Sequence, residues 1–247
     1  MPLIIAHRGA NKYAPQNTLS AFSKAVELSA DGIETDVHLT KDGKIVICHN
    51  YTIDETSNGK GFIDDMTLEE LRKYDFGSYF SRDFEGTLIP ELYQLIEIVK
   101  DMTLINIEIK APKKNNDLVK RTLDEIHKHG IEKNVIVSCF NPECIRLSKE
   151  IAPEIKTGFL YETGELADEV RKFGIAKYCS ELKTDAAHPE KTLITKEEVD
   201  ELHKMGMAVN PWTVDERKDI ERLTKIGCDA LITNVPDICR KVVEEIL

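Results

Sequence analysis

The sequence predicts an α/β fold, a (β/α)8 TIM-like barrel with a small cap insertion after a hairpin on the second strand. Three observations predict it. Short β-branched runs alternate with longer amphipathic stretches through eight strand–helix units along 247 residues. The helical stretches open on capping residues and close on glycine. No G-x-G-x-x-G turn follows the first strand, although an open doubly wound sheet, the main alternative, would favour one.

In chain order, Leu3–Ala6 is a short apolar strand that runs straight into His7, Arg8 and Gly9. Pro15 and Asn17-Thr18 turn the chain into a helix over 18–30. Gly32–Val37 is the second strand, and Lys41-Asp42-Gly43 signals a tight hairpin that returns along Lys44–Cys48. That register brings His49 back to the level of Thr35 and Asp36. Residues 50–89, with "SNGKG", "FGSYF" and "FEGTLIP", break the rhythm and form the cap-like insert within one domain spanning 1–247. A helix over 90–100 leads to the strand Leu104–Ile109, and a helix over 116–129 ends at Gly130. Val135–Ser138 precedes the Asn141-Pro142 cap of a helix over 142–150. Lys156–Tyr161 is followed by a helix over 164–173, and Ala176–Ser180 is read as the next strand. Thr195 with Glu198 three residues on opens a helix over 195–205. Met207–Thr213, a helix over 215–226, Ala230–Thr233 and a helix over 236–246 begun by Pro236 complete the alternation.

Charge and composition exclude several classes. The net charge of −11 argues against a broad nucleic-acid footprint and against attraction to anionic lipid. The short run in "MPLIIAHRG" lacks the basic head of a signal peptide, and no segment has the length of a membrane span, so a cytoplasmic protein without membrane insertion is expected. The six cysteines form no C-x-x-C pair, which points to buried free thiols rather than zinc. Oligomeric state leaves no mark in the sequence.

In a helix-wrapped barrel both strand faces are apolar unless function intervenes. Three strands break that rule. Glu34 and Asp36 lie two apart on the second strand and share a face. They are either solvated strand carboxylates or a buried pair that needs a cation. Asn106, Glu108 and Lys110 share a face of the strand that reads "LINIEIK". With the barrel reading, these carboxylates reach the C-terminal mouth, where such barrels do their chemistry. Glu34, Asp36 and Glu108 then make a hard, oxygen-only site for one divalent cation, Mg2+ or Ca2+. On "AVNPWT", Asn210 and Trp212 share a face, and Trp212 is either a core aromatic or an apolar wall for the carbon part of a substrate.

His7 and His49 are the two histidines at strand ends that face this mouth, beside the cations Arg8 and Lys110. His7 is suited to move protons and Arg8 to hold an anion. His38, His127, His129, His188 and His203 fall on expected helix faces, loops or the outer hairpin and carry no functional reading.

Together, "AHRGANKYAPQNT", "GIETDVHLTKDGKIVICHN", "NIEIK", "VSCFN", "VNPWTV" and "LITNVP" span nearly the whole chain in order. This set resembles the glycerophosphodiester phosphodiesterase family of the compact soluble type. The resemblance implies a (β/α)8 barrel, one divalent metal on Glu34, Asp36 and Glu108, and His7 and His49 as the general acid/base pair. It implies phosphate contacts from Arg8 and Lys110, and a glycerol pocket lined by Trp212. The implied reaction is hydrolysis of a small glycerophosphodiester to glycerol 3-phosphate and an alcohol. A neighbouring glycerol hydroxyl attacking first, through a cyclic phosphate, is part of what it suggests. The chain departs from the family at Gln16, where a Glu is usual, and at "DETS" (54–57), where an Arg commonly stands second. A lysophospholipase D-like enzyme on the same scaffold and a non-catalytic phosphate- or polyol-binding barrel are the alternatives.

Overall fold

Parallel pairing carries the chain from strand to strand around a barrel wrapped in helices. The computed structural model describes residues 1–111 and 115–247. In order, the elements are β1 (Leu3–His7), α1 (Leu19–Glu27), β2 (Gly32–Leu39), β3 (Ile45–Ile47), α2 (Leu68–Leu71), α3 (Leu92–Val99) and β4 (Leu104–Ile109). There follow α4 (Asn116–His129), β5 (Val135–Cys139), α5 (Pro142–Ile151), β6 (Lys156–Tyr161), α6 (Glu165–Phe173) and α7 (Ile175–Leu182). The last are β7 (Ala186–Pro189), α8 (Lys196–Lys204), β8 (Ala208–Val209), α9 (Arg217–Ile226), β9 (Ala230–Thr233) and α10 (Pro236–Ile246).

The sheet runs β8-β7-β6-β5-β4-β2-β1-β9, parallel throughout, and β3 folds back antiparallel on β2. Backbone bonds from Asp229 N to Val209 O (2.9 Å), Ile232 N to Pro211 O (3.0 Å) and Val214 N to Ile232 O (2.8 Å) bring the two ends of the sheet together. The helices start where the sequence places caps: Thr18 accepts from Ala21 N, and Thr195 forms a reciprocal box with Glu198.

Alternation along the strands sorts side chains between two apolar layers. Ile4, Ala6, Ile33, Val37, Ile105 and Ile107 face the helices and pack in one cluster with Phe22, Ile96 and Leu123. Ile5, Ala230 and Ile232, with Leu3, Leu104 and Trp212 against them, fill the barrel as a separate cluster. Each fully buried Ile, Val, Leu or Phe among them contributes about 1.5–3 kcal/mol by leaving water.

One expected strand lies elsewhere. Ala176–Ser180 belongs to α7, whose buried residues Ile175, Ala176, Cys179 and Leu182 follow helical spacing. The barrel strand is Ala186–Pro189, a run without β-branched residues that pairs with β6 and β8. It carries His188, read from the sequence as a loop or helix-face residue, into the interior with no exposure. A Cβ on Gly158 would stand 2.5 Å from His188 Nε2, so only glycine leaves space for that ring. Asn210 Nδ2 donates to His188 Nε2 at 3.0 Å, which puts the ring proton on Nδ1.

Between β3 and α3 a third small cluster forms from Val46, Cys48, Ile53, Ile63, Leu71, Phe76 and Ile89. Among the described residues no helix is long and apolar enough to cross a membrane. All six cysteines are buried and none is in a disulfide.

Candidate active site

The first strand delivers His7 to the end of the barrel, and the backbone then reverses through Arg8 (φ 55°) and Gly9 (φ 76°). A Cβ on Gly9 would lie 2.6 Å from the Ala21 carbonyl carbon, so glycine seats this turn directly on α1. The turn aims Arg8 N at Glu34 Oε2 (3.0 Å), and Arg8 Nη1 donates to Gln16 Oε1 (2.6 Å). Gln16 thus orients the guanidinium without adding a charge to it.

Register assembles the carboxylates. His7 pairs with Glu34, Glu34 with Asn106, and Asp36 with Glu108 across β1, β2 and β4. Alternation then turns Glu34, Asp36 and Glu108 to one face. Each offers an oxygen within 4.8 Å of the others, and all three are buried. Lys110 Nζ sits 2.7 Å from Glu108 Oε1 and 3.4 Å from Asp36 Oδ1, and Arg8 Nε lies 3.5 Å from Asp36 Oδ2. Asn17 Nδ2 donates to Asp36 Oδ2 at 2.8 Å.

The electrostatics follow from burial and these neighbours. Burial and the charges of Asp36 and Glu108 push the Glu34 carboxyl well above its usual range. Burial also drives Glu108, which rises to about 7 although Lys110 opposes it. Burial would raise Asp36 too, but Lys110 and Arg8 overcome it and hold that carboxyl well below the carboxylate range. Three carboxylates and two cations therefore balance poorly without further positive charge. Asp36 Oδ1 is buried with no hydrogen-bond partner. The donors are hard oxygens at shared reach, which suits Mg2+ or Ca2+ rather than a thiophilic metal.

Two imidazoles flank the cluster. His7 Nε2 is 3.8 Å from Glu34 Oε2, and burial, reinforced by Arg8, lowers the ring to about 4. His49 arrives just past β3, whose hairpin is held there by Cys48 N donating to Asp36 O at 3.1 Å. Its Nδ1 lies 2.6 Å from Asn50 Oδ1, and burial lowers its ring as well. His38 supports it from behind by donating from Nε2 to the His49 carbonyl at 3.4 Å.

These groups open on a cavity of about 530 Å³. His7, Arg8, Glu34, His49, Tyr51, Glu108 and Lys110 form its polar side, and Phe140, Leu160, Trp212 and Ile232 its apolar side. Asp36 belongs to the cluster but does not line the cavity. Trp212 is fixed by Nε1–H donating to His188 O (2.9 Å) and by edge-to-face contact with Phe140 at 5.6 Å. All eight residues singled out in the sequence therefore meet at one end of the barrel. Sequence reasoning missed Asn17, Tyr51, Phe140, Asp215 and Asn234. A polar residue just past a barrel strand, as in "LITN", is the signal that marks Asn234.

Comparison with known proteins follows the same lines. The pattern of the glycerophosphoryl diester phosphodiesterase family matches residues 7–238. A glycerophosphodiester phosphodiesterase from Caldanaerobacter subterraneus subsp. tengcongensis is 42% identical over 241 residues, 95% of each chain. One from Bacillus altitudinis is 32% identical over 250 residues, 99% of each chain. Among solved structures, an Oleispira antarctica phosphodiesterase in complex with the product sn-glycerol-3-phosphate superposes with a TM-score of 0.87 at 24% identity, covering 99% of this chain and 97% of that one. A glycerophosphodiester phosphodiesterase from Agrobacterium tumefaciens does so with a TM-score of 0.84 at 23% identity, covering 98% and 100%.

Proposed function

The chain belongs to the glycerophosphoryl diester phosphodiesterase family, and on that premise we propose that it hydrolyses small glycerophosphodiesters to glycerol 3-phosphate and an alcohol. One observation carries the reading. A cluster of three buried carboxylates, two of which line one cavity, meets two imidazoles, two cations and the apolar side chains of that cavity.

In this reading the phosphate lies between Arg8 and Lys110, whose charges offset its own and favour the more anionic transition state. Glu34, Asp36 and Glu108 would hold Mg2+ or Ca2+, which would supply further positive charge against the developing anionic charge. One imidazole removes the proton of the attacking hydroxyl or water as the new P–O bond forms, and where a glycerol hydroxyl attacks first, water opens the resulting cyclic phosphate in a second displacement. The other protonates the departing alkoxide as the old bond breaks. His7 and His49 both line the cavity beside the carboxylates, which supports their reading as the pair. Trp212, Phe140 and Leu160 bound the space for the glycerol carbons. Residues 50–89 act as a cap over the mouth within one domain, contributing Tyr51 to the wall. Six buried cysteines outside any disulfide fit a reducing cytoplasm.

The test is release of glycerol 3-phosphate, read through a coupled dehydrogenase, with and without chelator. Turnover of glycerophosphocholine that chelator abolishes supports the reading. Preference for lysophosphatidylcholine moves the assignment to a lysophospholipase D-like activity, and binding without turnover leaves only a phosphate- or polyol-binding barrel.

A further inference from the structure

Behind His7, on the side away from the carboxylate cluster, lies a chain of hydrogen bonds that none of the roles above uses. His7 Nδ1 is 2.7 Å from Asn234 Oδ1. Asn234 Nδ2 donates to Asp215 Oδ2 at 2.6 Å, and Asn234 N donates to Asp215 Oδ1 at 2.8 Å. Thr233 Oγ1 adds a third donor to Asp215 at 3.1 Å. Asn11 Nδ2 donates to Asn234 Oδ1 at 2.6 Å, alongside the imidazole.

The direction of this chain is fixed by chemistry. An ionised carboxylate only accepts, so the Asn234 amide must turn its NH2 to Asp215 and its oxygen to His7. The Asn11 donor selects the same orientation. An amide oxygen also only accepts, so the imidazole must donate from Nδ1. A neutral His7 then carries its lone pair on Nε2, the nitrogen that faces Glu34 and the cavity. His49 has no comparable anchor, because its Nδ1 partner Asn50 is the next residue in the chain.

We propose that Asp215 and Asn234 are positioning residues that hold His7 in the tautomer with a bare Nε2, ready to accept a proton. The proposal rests on the reading of His7 as a member of the acid/base pair. Asp215 sits at the entrance to α9 and Asn234 just past β9, so the barrel places them together from separate strand–helix units. The amide between them cannot carry the proton onward. Asp215 therefore orients the ring through Asn234 and polarises it, without taking its proton, and the acid/base exchange stays at Nε2.

Two-bond nitrogen–proton NMR correlations of the His7 ring test this independently of turnover. In the unsubstituted protein the neutral ring should show its proton on Nδ1. In Asp215→Asn, an isosteric change, the Asn234 amide is free to reverse, and the ring should move toward the Nε2–H form. Turnover should fall about 10–100-fold, with KM changed less than about threefold. Asn234→Ala should shift the same ring signals. A proton on Nε2 in the unsubstituted protein overturns the proposal. So does an Asp215→Asn protein with unchanged ring signals, or one that loses activity only in step with its melting temperature. His7→Ala with full turnover would instead overturn the acid/base reading on which the proposal rests, and the ring signals separate the two failures.

Discussion

Asp36 and Glu108 are register partners on adjacent parallel strands, and the Lys110 ammonium reaches both carboxylates. With Glu34 beside them, ionising all three carboxylates would put more buried negative charge there than Lys110 and Arg8 neutralise, and the Glu34 and Glu108 carboxyls are pushed upward accordingly. On the proposed function a divalent cation would offset that charge, so its binding should stabilise the fold. At a hundredfold excess over Kd the gain is about 2.7 kcal/mol, and at roughly 2–4 °C per kcal/mol the melting temperature should rise about 5–10 °C. Thermal scans with Mg2+ or Ca2+ read this directly, and Asp36→Asn or Glu108→Gln should lose the rise. An unchanged transition in both ions would remove the cation from the site.

His7→Ala and His49→Ala should each lower turnover by about 10²–10⁴-fold, the usual contribution of one acid or base. Neither ring carries a core cluster, so circular dichroism and melting temperature should stay close to those of the parent. Near-normal turnover in either variant would take that imidazole out of the chemistry.

His188 gives stability a pH dependence of known sign. Burial lowers its ring from 6.5 to about 3. Below pH 6.5 the unfolded chain binds a proton that the folded chain refuses, so stability is fully present above that pH and is lost as pH falls toward about 3. The loss at pH 5 is about 2 kcal/mol for this group. Urea titrations at pH 7 and pH 5 should show His188→Gln losing that much less than the parent. Equal losses in the two proteins would mean that the ring is already charged inside the barrel.

Gly158→Ala should cost about 1–3 kcal/mol by forcing the His188 ring aside. Because Asn210 and Trp212 both bond to His188, KM should rise as well. Urea midpoints and KM measured together check both effects, and a variant with unchanged midpoint would show that the ring has room to move.

Much of this was legible in the residues. β-branched runs marked most barrel strands, and period-two spacing put Glu34 with Asp36 and Asn106 with Glu108 on common faces. The hairpin signal at Asp42-Gly43 set the level of His49. Ala186–Pro189 escaped because its strand state comes from pairing with β6 and β8 rather than from its own side chains. The same blindness hid His188, whose place depends on Gly158 on the neighbouring strand β6. Asp215 and Asn234 were hidden for another reason: each is an ordinary polar residue locally, and only barrel closure brings them behind His7.

The cavity has two walls of different ancestry along the chain. His7, Arg8, Glu34, His49, Glu108 and Lys110 in its lining come from residues up to Lys110, whereas Phe140, Leu160, Trp212 and Ile232, with the single carboxylate of Glu162, come from beyond it. Selectivity toward the organic portion of the substrate is thereby separable from the bond-breaking apparatus. Recombining the units that carry Phe140 and Leu160 from relatives should retune what is accepted, with the last two units kept so that Asp215 and Asn234 stay behind His7.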